Sequence, residues 1–346
     1  MVPSPRDDGD RDTAFVPAWW LPGSHLQTVG ARWSRPLPGV RLRRERLTTP
    51  DGDFLDLDWA DSAMPAGGPR ALVLLLHGLE GSAQSGYALE TYRQLARHGI
   101  PTVGLNFRSC SGELNRGARL YHSGETDDTR FVIRTLRARF PDAALGAVGF
   151  SLGGNVLVKY LGEEAERGGE GRGVTAAAAV SVPYDLAAGA RHMERGLARL
   201  YVRRLLRSLQ RKVRARAREL GPRMDVPRAL RARTFYEFDD AATAPLHGFR
   251  DANDYYARSS SGLWVARVEV PTLLVHADDD PFLPAGAIPR AAAAANPVIR
   301  SHFTARGGHV GFVMGPPWRR GYWAEARVAA FLAGRLATVE PALPGA

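Results

Sequence analysis

The stretch Ala144-Leu145-Gly146-Ala147-Val148-Gly149-Phe150-Ser151-Leu152-Gly153-Gly154-Asn155-Val156-Leu157-Val158-Lys159-Tyr160 joins two apolar runs through a serine flanked by glycines. The first run is typical of a short buried strand and the second of a helix. A serine on the sharp turn between them projects its hydroxyl away from the sheet, and small neighbours let strand and helix approach closely. The stretch therefore predicts a nucleophile elbow at Ser151. The pentapeptide 149–153 is a weak signal alone, so the rest of the chain must supply its context.

The length and composition favour one large α/β domain. The chain has 346 residues, 45% of them hydrophobic, and could fold as one enlarged domain or as two smaller ones. No linker rich in Pro, Ser or Gly divides it. We therefore predict a single domain over residues 17–346, preceded by a disordered acidic tip over residues 1–16.

Cysteine usage and the distribution of apolar residues indicate a cytoplasmic protein. Cys110 is the single cysteine, so no intramolecular disulfide can form. The first residues lack the apolar core of a signal peptide. No uninterrupted apolar run approaches the roughly 20 residues that a membrane-spanning helix needs.

The net charge of +10 ordinarily suggests nucleic acid or an acidic membrane surface as a partner. All but two of the 46 basic residues are arginine, the exceptions being Lys159 and Lys212, which is more typical of coding bias than of selection. The charge is also local, because residues 201–233 hold eleven Arg and one Lys against Glu219 and Asp225. The excess of positive charge thus belongs to one segment, and this argues against nucleic acid as the partner.

Alternating strand and helix patterns predict a mostly parallel sheet with helices on both faces. Residues 40–48 and 54–59, joined by the turn Pro50-Asp51-Gly52, predict an opening hairpin. Apolar runs that suit buried strands precede Ser151 and also occupy 71–76, 101–107, 175–182 and 270–276, and a further strand is predicted at 299–304. Helices are predicted at 87–98, 125–140 and 318–337.

Residues 183–267 interrupt this alternation, and we interpret them as a cap inserted over the carboxyl edge of the sheet. One side of a predicted helix in the cap is mostly arginine, and the other side is formed by Leu197, Leu200, Tyr201, Leu205, Leu209 and Val213. A basic amphipathic helix can lie on an anionic membrane or cover an apolar pocket. The simpler interpretation is a cap helix with a solvated arginine face. If its leucines face Ser151, they line a channel for an acyl chain.

A serine hydroxyl becomes a good nucleophile only when a histidine takes its proton, and a carboxylate must orient that histidine. His276, His302 and His309 follow late enough in the chain to serve. His276 and His302 lie inside predicted strands, whereas His309 lies in the glycine-rich loop Arg306-Gly307-Gly308-His309 beyond the last strand. The sequence therefore favours His309 as the base. The other six histidines are interpreted as structural.

The acid should follow the strand that ends near His276, where Asp278-Asp279-Asp280 stands before Pro281. Physical reasoning does not choose among three adjacent carboxylates, and like charges so close disfavour full ionisation of a buried member. A solvated acidic turn is the alternative interpretation of this cluster.

An acyl-transfer site also needs backbone N–H groups aimed at the developing oxyanion. The amide of Leu152, directly after the proposed nucleophile, is one candidate donor. The loop His77-Gly78-Leu79 after the first parallel strand supplies the second, most simply from Leu79. His77-Gly78 could also be only a turn that ends a strand.

Taken together, several motifs resemble the YheT-like branch of the α/β-hydrolases. The resemblance extends over residues 17–336, and its motifs are His77-Gly78-Leu79-Glu80-Gly81-Ser82, Gly149-Phe150-Ser151-Leu152-Gly153-Gly154-Asn155, Asp279-Asp280-Pro281-Phe282 and Gly307-Gly308-His309-Val310-Gly311-Phe312, with 25–28, 106–113, 121–126, 237–240 and 254–256. That branch includes esterases and monoacylglycerol lipases. The resemblance implies a capped α/β-hydrolase fold and a triad of Ser151, Asp280 and His309, with Asp280 chosen because it precedes Pro281. One departure is Ser109, where the pattern usually has glycine.

These observations predict hydrolysis of carboxylic esters, with a lipid or acyl ester as the small-molecule substrate and with no metal or organic cofactor. Two other functions stay open: an acyltransferase in which an alcohol replaces water, and a catalytically idle hydrolase fold that serves as a binding module. The presence of nucleophile, acid, base and oxyanion loop in one chain argues against the idle fold. Peripheral contact of the arginine-rich cap with an anionic membrane is a further expectation.

Overall fold

A computed structural model describes residues 14–35, 39–60, 65, 68–168 and 173–337 of the chain. Within these residues eight strands form one sheet in the order β1-β2-β4-β3-β5-β6-β7-β8. The strands are β1 (Leu42–Thr48), β2 (Phe54–Ala60), β3 (Ala71–Leu76), β4 (Thr102–Asn106), β5 (Ala144–Phe150), β6 (Ala176–Val180), β7 (Thr272–Ala277) and β8 (Ile299–Thr304). β1 and β2 are antiparallel additions at one edge, and β4, β3, β5, β6, β7 and β8 are mutually parallel.

Helices cover both faces of the sheet, because the parallel strands are apolar on both sides. The helices outside the cap are α1 (Gly23–Ser34), α2 (Gly86–Arg97), α3 (Asp127–Arg139), α4 (Leu152–Glu166), α12 (Arg290–Ala295) and α13 (Trp323–Ala337). Helices α2 and α13 pack together in one hydrophobic cluster, and α3 and α4 contribute to the cluster on the other face. The predicted fold class, an α/β sheet of mostly parallel strands, is confirmed.

Between β6 and β7 the described chain is helical throughout its regular structure. The segment contains α5 (Leu186–Met193), α6 (Ala198–Ala215), α7 (Ala217–Leu220), α8 (Val226–Arg231), α9 (Phe235–Phe238), α10 (Ala244–Leu246) and α11 (Ala252–Ser259). Many of these helices are short and share a hydrophobic cluster of their own, centred on Val202, Leu206 and Val213 of α6 and on Phe238. We call this segment the cap.

Most predicted bounds of strands and helices lie within two residues of those in the structure, and the last helix differs more. The last helix begins at Trp323 and not near Trp318, because Gly321 and Tyr322 pair with Val313 and Met314 in a short hairpin of β10 (Gly321–Tyr322) and β9 (Val313–Met314). Residues 1–13 of the predicted disordered tip lie outside the described residues. Phe15, from the same predicted tip, packs edge-on against Phe312 with ring centroids 5.5 Å apart.

Candidate active site

The turn between β5 and α4 holds Ser151 in an unusual backbone conformation. Its φ is 53° and its ψ is −120°, values that residues other than glycine rarely adopt. Neighbouring glycines make the turn possible, since a Cβ on Gly149 would lie 2.4 Å from the carbonyl oxygen of Gly153. A Cβ on Gly153 would lie 2.3 Å from the carbonyl oxygen of Leu76, at the end of β3. Strand and helix therefore meet as closely as the sequence predicts.

A continuous chain of hydrogen bonds runs from Ser151 through His309 to Asp280. Nε2 of His309 lies 2.9 Å from Oγ of Ser151, and Nδ1 lies 2.8 Å and 3.1 Å from the two carboxylate oxygens of Asp280. Since a carboxylate can only accept, Nδ1 carries the proton and Nε2 accepts from the serine hydroxyl. The ring of Phe282 stacks on the imidazole with centroids 3.9 Å apart, which fixes the plane of the ring.

The three adjacent aspartates have different partners. Asp278 forms an ion pair with Arg290 at the surface. Asp279 accepts a hydrogen bond from the backbone N–H of Gly308 at 2.8 Å, next to the histidine. Asp280 is buried and reaches His309, because its own N–H bonds to the carbonyl oxygen of Ala277 in a tight turn that directs it inward.

The protonation state of Asp280 suits a partner of an imidazole. Burial raises the pKa of this carboxyl, but its interactions with the rings of His309 and His276 and with the backbone N–H of Phe282 together outweigh burial and leave the pKa below its ordinary value. Asp280 is thus ionised at neutral pH. Its Oδ1 also accepts from the backbone N–H of Phe282 at 2.8 Å, which holds the carboxylate in place.

The two other late histidines occupy different environments. His276 is fully buried, with Nε2 3.5 Å from Oδ2 of Asp280, and burial lowers its pKa to about 4. His276 is therefore a neutral ring behind the carboxylate. His302 lies on β8 and packs edge-on against Trp323 of α13. Neither histidine has the contact with Ser151 that His309 makes.

The loop that carries His309 is anchored by α1, which the sequence does not predict. Oγ1 of Thr28 accepts the backbone N–H of His309 at 2.9 Å, and the side chain of Gln27 bonds both the N–H and the carbonyl oxygen of Val313. A guanidinium nitrogen of Arg35 donates to the carbonyl oxygen of Val310 at 2.7 Å. The motif at 25–28 is visible in the sequence, but a contact over more than 270 positions leaves no local signal there.

The loop after β3 is held by two tyrosine hydroxyls. The N–H groups of Gly78 and Glu80 donate to Tyr87 and Tyr121, each at 2.8 Å, so both amides that flank Leu79 are occupied. His77 is buried, accepts the N–H of Phe107 at Nε2 and donates from Nδ1 to the carbonyl oxygen of Gly78. Burial lowers its pKa to about 4, so this ring is a neutral strut of the loop.

The cap touches this loop through Lys212. Its Nζ donates to Oε1 of Glu80 at 2.7 Å, and the hydroxyl of Tyr121 donates to the same oxygen at 2.7 Å. Glu80 has a φ of 54°, so its backbone is strained next to Leu79. Lys212 also lies 3.3 Å from the sulfur of Cys110, a buried thiol whose pKa burial raises to about 11. The cap is thereby tied to the loop that contains Leu79.

The backbone conformation at Ser109 accounts for the glycine that the family pattern usually has at this position. Its φ of 62° lies in the left-handed region that favours glycine. Here the serine side chain compensates by accepting the N–H of Asn115 at 3.0 Å. The departure thus stabilises the loop beside the site and leaves Ser151, Asp280 and His309 untouched.

Core and cap enclose a cavity of about 870 Å³ whose wall includes Ser151, His309, Leu79 and Leu152. The residues of α6 that line it are Tyr201, Arg204, Leu205, Ser208, Leu209, Arg211 and Lys212. The expectation that Leu197 and Leu200 face inward is wrong, since their side chains are 60% and 62% exposed. The buried stripe of α6 is instead formed by Val202, Leu206 and Val213, because the short helices of the cap cover that side.

One cluster in the cavity wall has the composition of a metal site. His122, Glu125 and His247 bring ligand atoms within 4.8 Å of one another. However, the N–H of Gly124 donates to Nδ1 of His122, which puts the proton of this neutral ring on Nε2, the nitrogen that faces Glu125 at 3.7 Å. A metal ion would have to displace this proton and to compete with Arg119, which pairs with Glu125 at 2.6 Å.

The topology and the serine-bearing turn define an α/β hydrolase. Residues 71–316 match the family described as having the alpha/beta hydrolase fold, and the chain belongs to this family.

Two similar proteins indicate which branch of the α/β hydrolases the chain resembles. Over 318 residues the chain is 39% identical to YheT of Escherichia coli, a protein named as a provisional esterase, with 91% of each chain covered. It is 32% identical to the mouse protein named phospholipase ABHD3, over 87% of this chain and 74% of that one. The resemblance to the YheT-like branch is thereby confirmed.

Among solved structures, esterase Pf2001 of Pyrococcus furiosus superimposes with a TM-score of 0.56. That match has 16% sequence identity and covers 86% of this chain and 92% of the other, and it shows the shared fold alone. Within the described ranges, every helix falls short of the length and apolarity that a bilayer crossing requires.

Proposed function

We propose that the protein is a serine hydrolase that cleaves carboxylic esters through Ser151, His309 and Asp280. The observation that carries the proposal is the unbroken hydrogen-bond chain, with 2.9 Å from Ser151 to His309 and 2.8 Å from His309 to Asp280. Membership in a family that contains proteins named as esterases and phospholipases supports hydrolytic chemistry.

In the acylation half-reaction, Nε2 of His309 takes the proton of Ser151 while the serine oxygen attacks the ester carbonyl carbon. Ionised Asp280 accepts from Nδ1 and stabilises the imidazolium that forms. The amides of Leu79 and Leu152 would receive the carbonyl oxygen as it becomes negative. Both residues line the same cavity as the serine, and the tyrosine-held loop keeps Leu79 in a fixed frame.

Collapse of the tetrahedral intermediate breaks the ester bond, and His309 returns its proton to the departing alkoxide. The acyl group then stays on Ser151 as an ester. Water attacks this ester with His309 again as base, and the acid product leaves as the serine hydroxyl is restored. No step needs a group other than the side chains and amides already described.

The cavity supports an ester with an apolar acyl chain. Its wall contains Leu205, Leu209, Phe235, Phe238 and Leu246 from the cap. Each methylene buried there would contribute about 0.8 kcal/mol to binding. We therefore expect kcat/KM to rise with acyl length until the cavity is filled, and a flat or falling profile would exclude this substrate class.

Fluorophosphonate labelling followed by a panel of acyl esters tests the proposal. The probe should label the wild-type protein and fail to label Ser151→Ala. Ser208→Ala is the matched control. Ser208 on α6 also lines the cavity, but it is not part of the hydrogen-bond chain that contains His309. Labelling of Ser151→Ala at the wild-type level, or no turnover of any ester by a labelled enzyme, would contradict the proposal.

A further inference from the structure

Helix α6 carries a row of arginines that lack carboxylate partners. Arg204, Arg207, Arg211 and Arg214 are exposed and, with Gln210, line a shallow groove of about 460 Å³. Within the described residues, no Asp or Glu lies at ion-pair distance from these four side chains, whereas Lys212 on the same helix is paired with Glu80. The helix itself contains no acidic residue. Four adjacent guanidinium groups without counter-charges favour an external polyanion.

Two leucines continue the same stripe toward the start of the helix. Leu197 and Leu200 precede Arg204 by seven and four positions, and the stripe runs on at helical spacing through Arg207, Arg211 and Arg214. Their side chains are 60% and 62% exposed. One line along α6 thus presents exposed apolar groups first and unpaired positive charges afterwards.

Helix α1 adds a second apolar edge beside this stripe. The two helices touch where Nδ1 of His25 lies 3.1 Å from the hydroxyl of Tyr201. Trp33 of α1 is 80% exposed and lines the mouth of the active-site cavity together with Arg204 of α6. Trp33, Arg204 and Arg211 therefore line the active-site cavity, and the exposed leucines share the face of α6 that carries Arg204.

We propose that this surface, formed by Leu197, Leu200, Trp33 and the four arginines, docks onto an anionic lipid membrane. Arginines attract the anionic headgroups, and leucine and tryptophan side chains insert at the interface, as on amphipathic helices that lie in a bilayer surface. The exposed leucines favour a membrane over nucleic acid as the partner. Proteins bind single-stranded nucleic acid through positive charge and stacked aromatic rings, and leucine supplies neither. Docking would bring the cavity mouth against the lipid.

Sedimentation of the full-length protein with vesicles tests the docking without any measurement of turnover. The vesicles are phosphatidylcholine alone and phosphatidylcholine mixed with phosphatidylglycerol. We expect binding only to the mixed vesicles at low salt, with loss on addition of salt. Arg207→Glu with Arg214→Glu should lower partitioning at least about tenfold. Leu200→Ser should lower it about fivefold.

Two controls match these variants. Arg41→Glu with Arg70→Glu makes the same change of net charge at exposed positions beside β1 and β3, and Leu263→Ser alters a leucine that is 79% exposed outside the docking surface. Both should bind as the wild type does, and melting temperatures check the fold of every variant. Absence of binding at low salt, or equal losses in the controls, would overturn the proposal. A third outcome would also overturn it. If only the arginine variant lost vesicle binding, and the wild-type protein bound single-stranded RNA as well as it binds the mixed vesicles, the surface would be a general site for polyanions.

Discussion

Ser151 combines a reactive position with a strained backbone. A φ of 53° in a residue with a Cβ costs about 1–3 kcal/mol, and the surrounding hydrogen bonds hold it there. The N–H of Ser151 donates to Val180 at 2.8 Å, and its carbonyl oxygen accepts from Asn155 at 3.0 Å. The strain fixes the direction of the hydroxyl toward His309.

Substitutions at Ser151 should separate the chemistry from the strain. Ser151→Ala removes the nucleophile and should reduce ester turnover by at least about 10⁴-fold without a change of fold. Ser151→Gly should be equally inactive but more stable than Ser151→Ala by about 1 kcal/mol, because glycine adopts positive φ without strain. Turnover of a p-nitrophenyl ester and urea unfolding measure the two effects. An active Ser151→Ala protein would exclude this residue as the nucleophile.

The three aspartates after β7 offer a second residue-scale prediction. Asp280→Asn should lower kcat by about 10⁴-fold, because an amide favours the wrong tautomer of His309. Asp278→Asn affects a surface ion pair, and Asp279→Asn keeps an oxygen that can accept from Gly308, so both should retain activity within about tenfold. The three variants are compared by kcat in one assay. Similar mild losses in all three would place the acid elsewhere.

At the scale of elements, the positions of the strands along the chain could be predicted from the sequence. Which residues of the cap helix α6 are buried and which are exposed could not. The sequence predicts the strand Ala71–Leu76 at the bounds that the structure shows, since a strand buried on both faces needs a local apolar run. The apolar residues of α6 divide between a buried stripe of Val202, Leu206 and Val213 and a cavity-lining stripe of Leu205 and Leu209, while Leu200 is exposed beside the arginines. Only the packing of the short cap helices decides which is which. The inward direction of Asp280 likewise depends on the hydrogen bond from its backbone N–H to Ala277. The residue types in this turn do not predict that bond.

Helix α1 makes an element-scale prediction. Thr28→Val keeps the shape of the side chain but leaves the N–H of His309 without its acceptor. We expect kcat to fall about tenfold with KM little changed, and stability to fall by about 1–2 kcal/mol. Thr28→Ser should restore both. Thr135→Val is the control, since Thr135 donates to the carbonyl oxygen of Phe131 as Thr28 donates to that of Ser24. An equal loss of kcat in this control would exclude a specific effect on His309.

A second prediction at this scale concerns the contact between the cap and the loop after β3. Lys212→Met should cost about 3 kcal/mol of stability, because the carboxylate of Glu80, only 5% exposed, loses its counter-charge. Turnover should fall with it, since Glu80 adjoins the amide of Leu79. Combining Lys212→Met with Glu80→Gln should recover part of the stability, and urea unfolding of the four proteins of this cycle gives the coupling. Additive losses would mean that the two side chains act independently.

At the scale of the whole molecule, buried histidines determine how stability depends on pH. Burial lowers the pKa of His77, His247 and His276 to about 4 in each case. The unfolded chain takes up protons on these rings near pH 6.5, and the folded chain does so only near pH 4. Stability therefore falls as the pH is lowered through this window. Asp239 acts in the opposite direction, because burial raises its pKa to about 6 and the folded form gains a proton there first.

Burial also lowers the pKa of His122, so four histidines act in this direction, and the net expectation is a loss of stability between pH 6.5 and pH 5. Urea unfolding at a series of pH values measures this slope. His276→Gln should reduce the slope by about one proton, and Asp239→Asn should make it steeper by a similar amount. A pH-independent stability over this range would show that the rings are protonated within the fold.

The helix that anchors the His309 loop is made near the start of the chain, and the loop is made near its end. Gln27 and Val313 are 286 positions apart. At translation rates of about 5–20 residues per second, roughly 15–60 s separate their synthesis. Until the second arrives, the serine on its turn is an ordinary alcohol, because no imidazole is present to take its proton. Under the proposed mechanism, a nascent chain whose His309 loop is not yet made would therefore be inert toward esters.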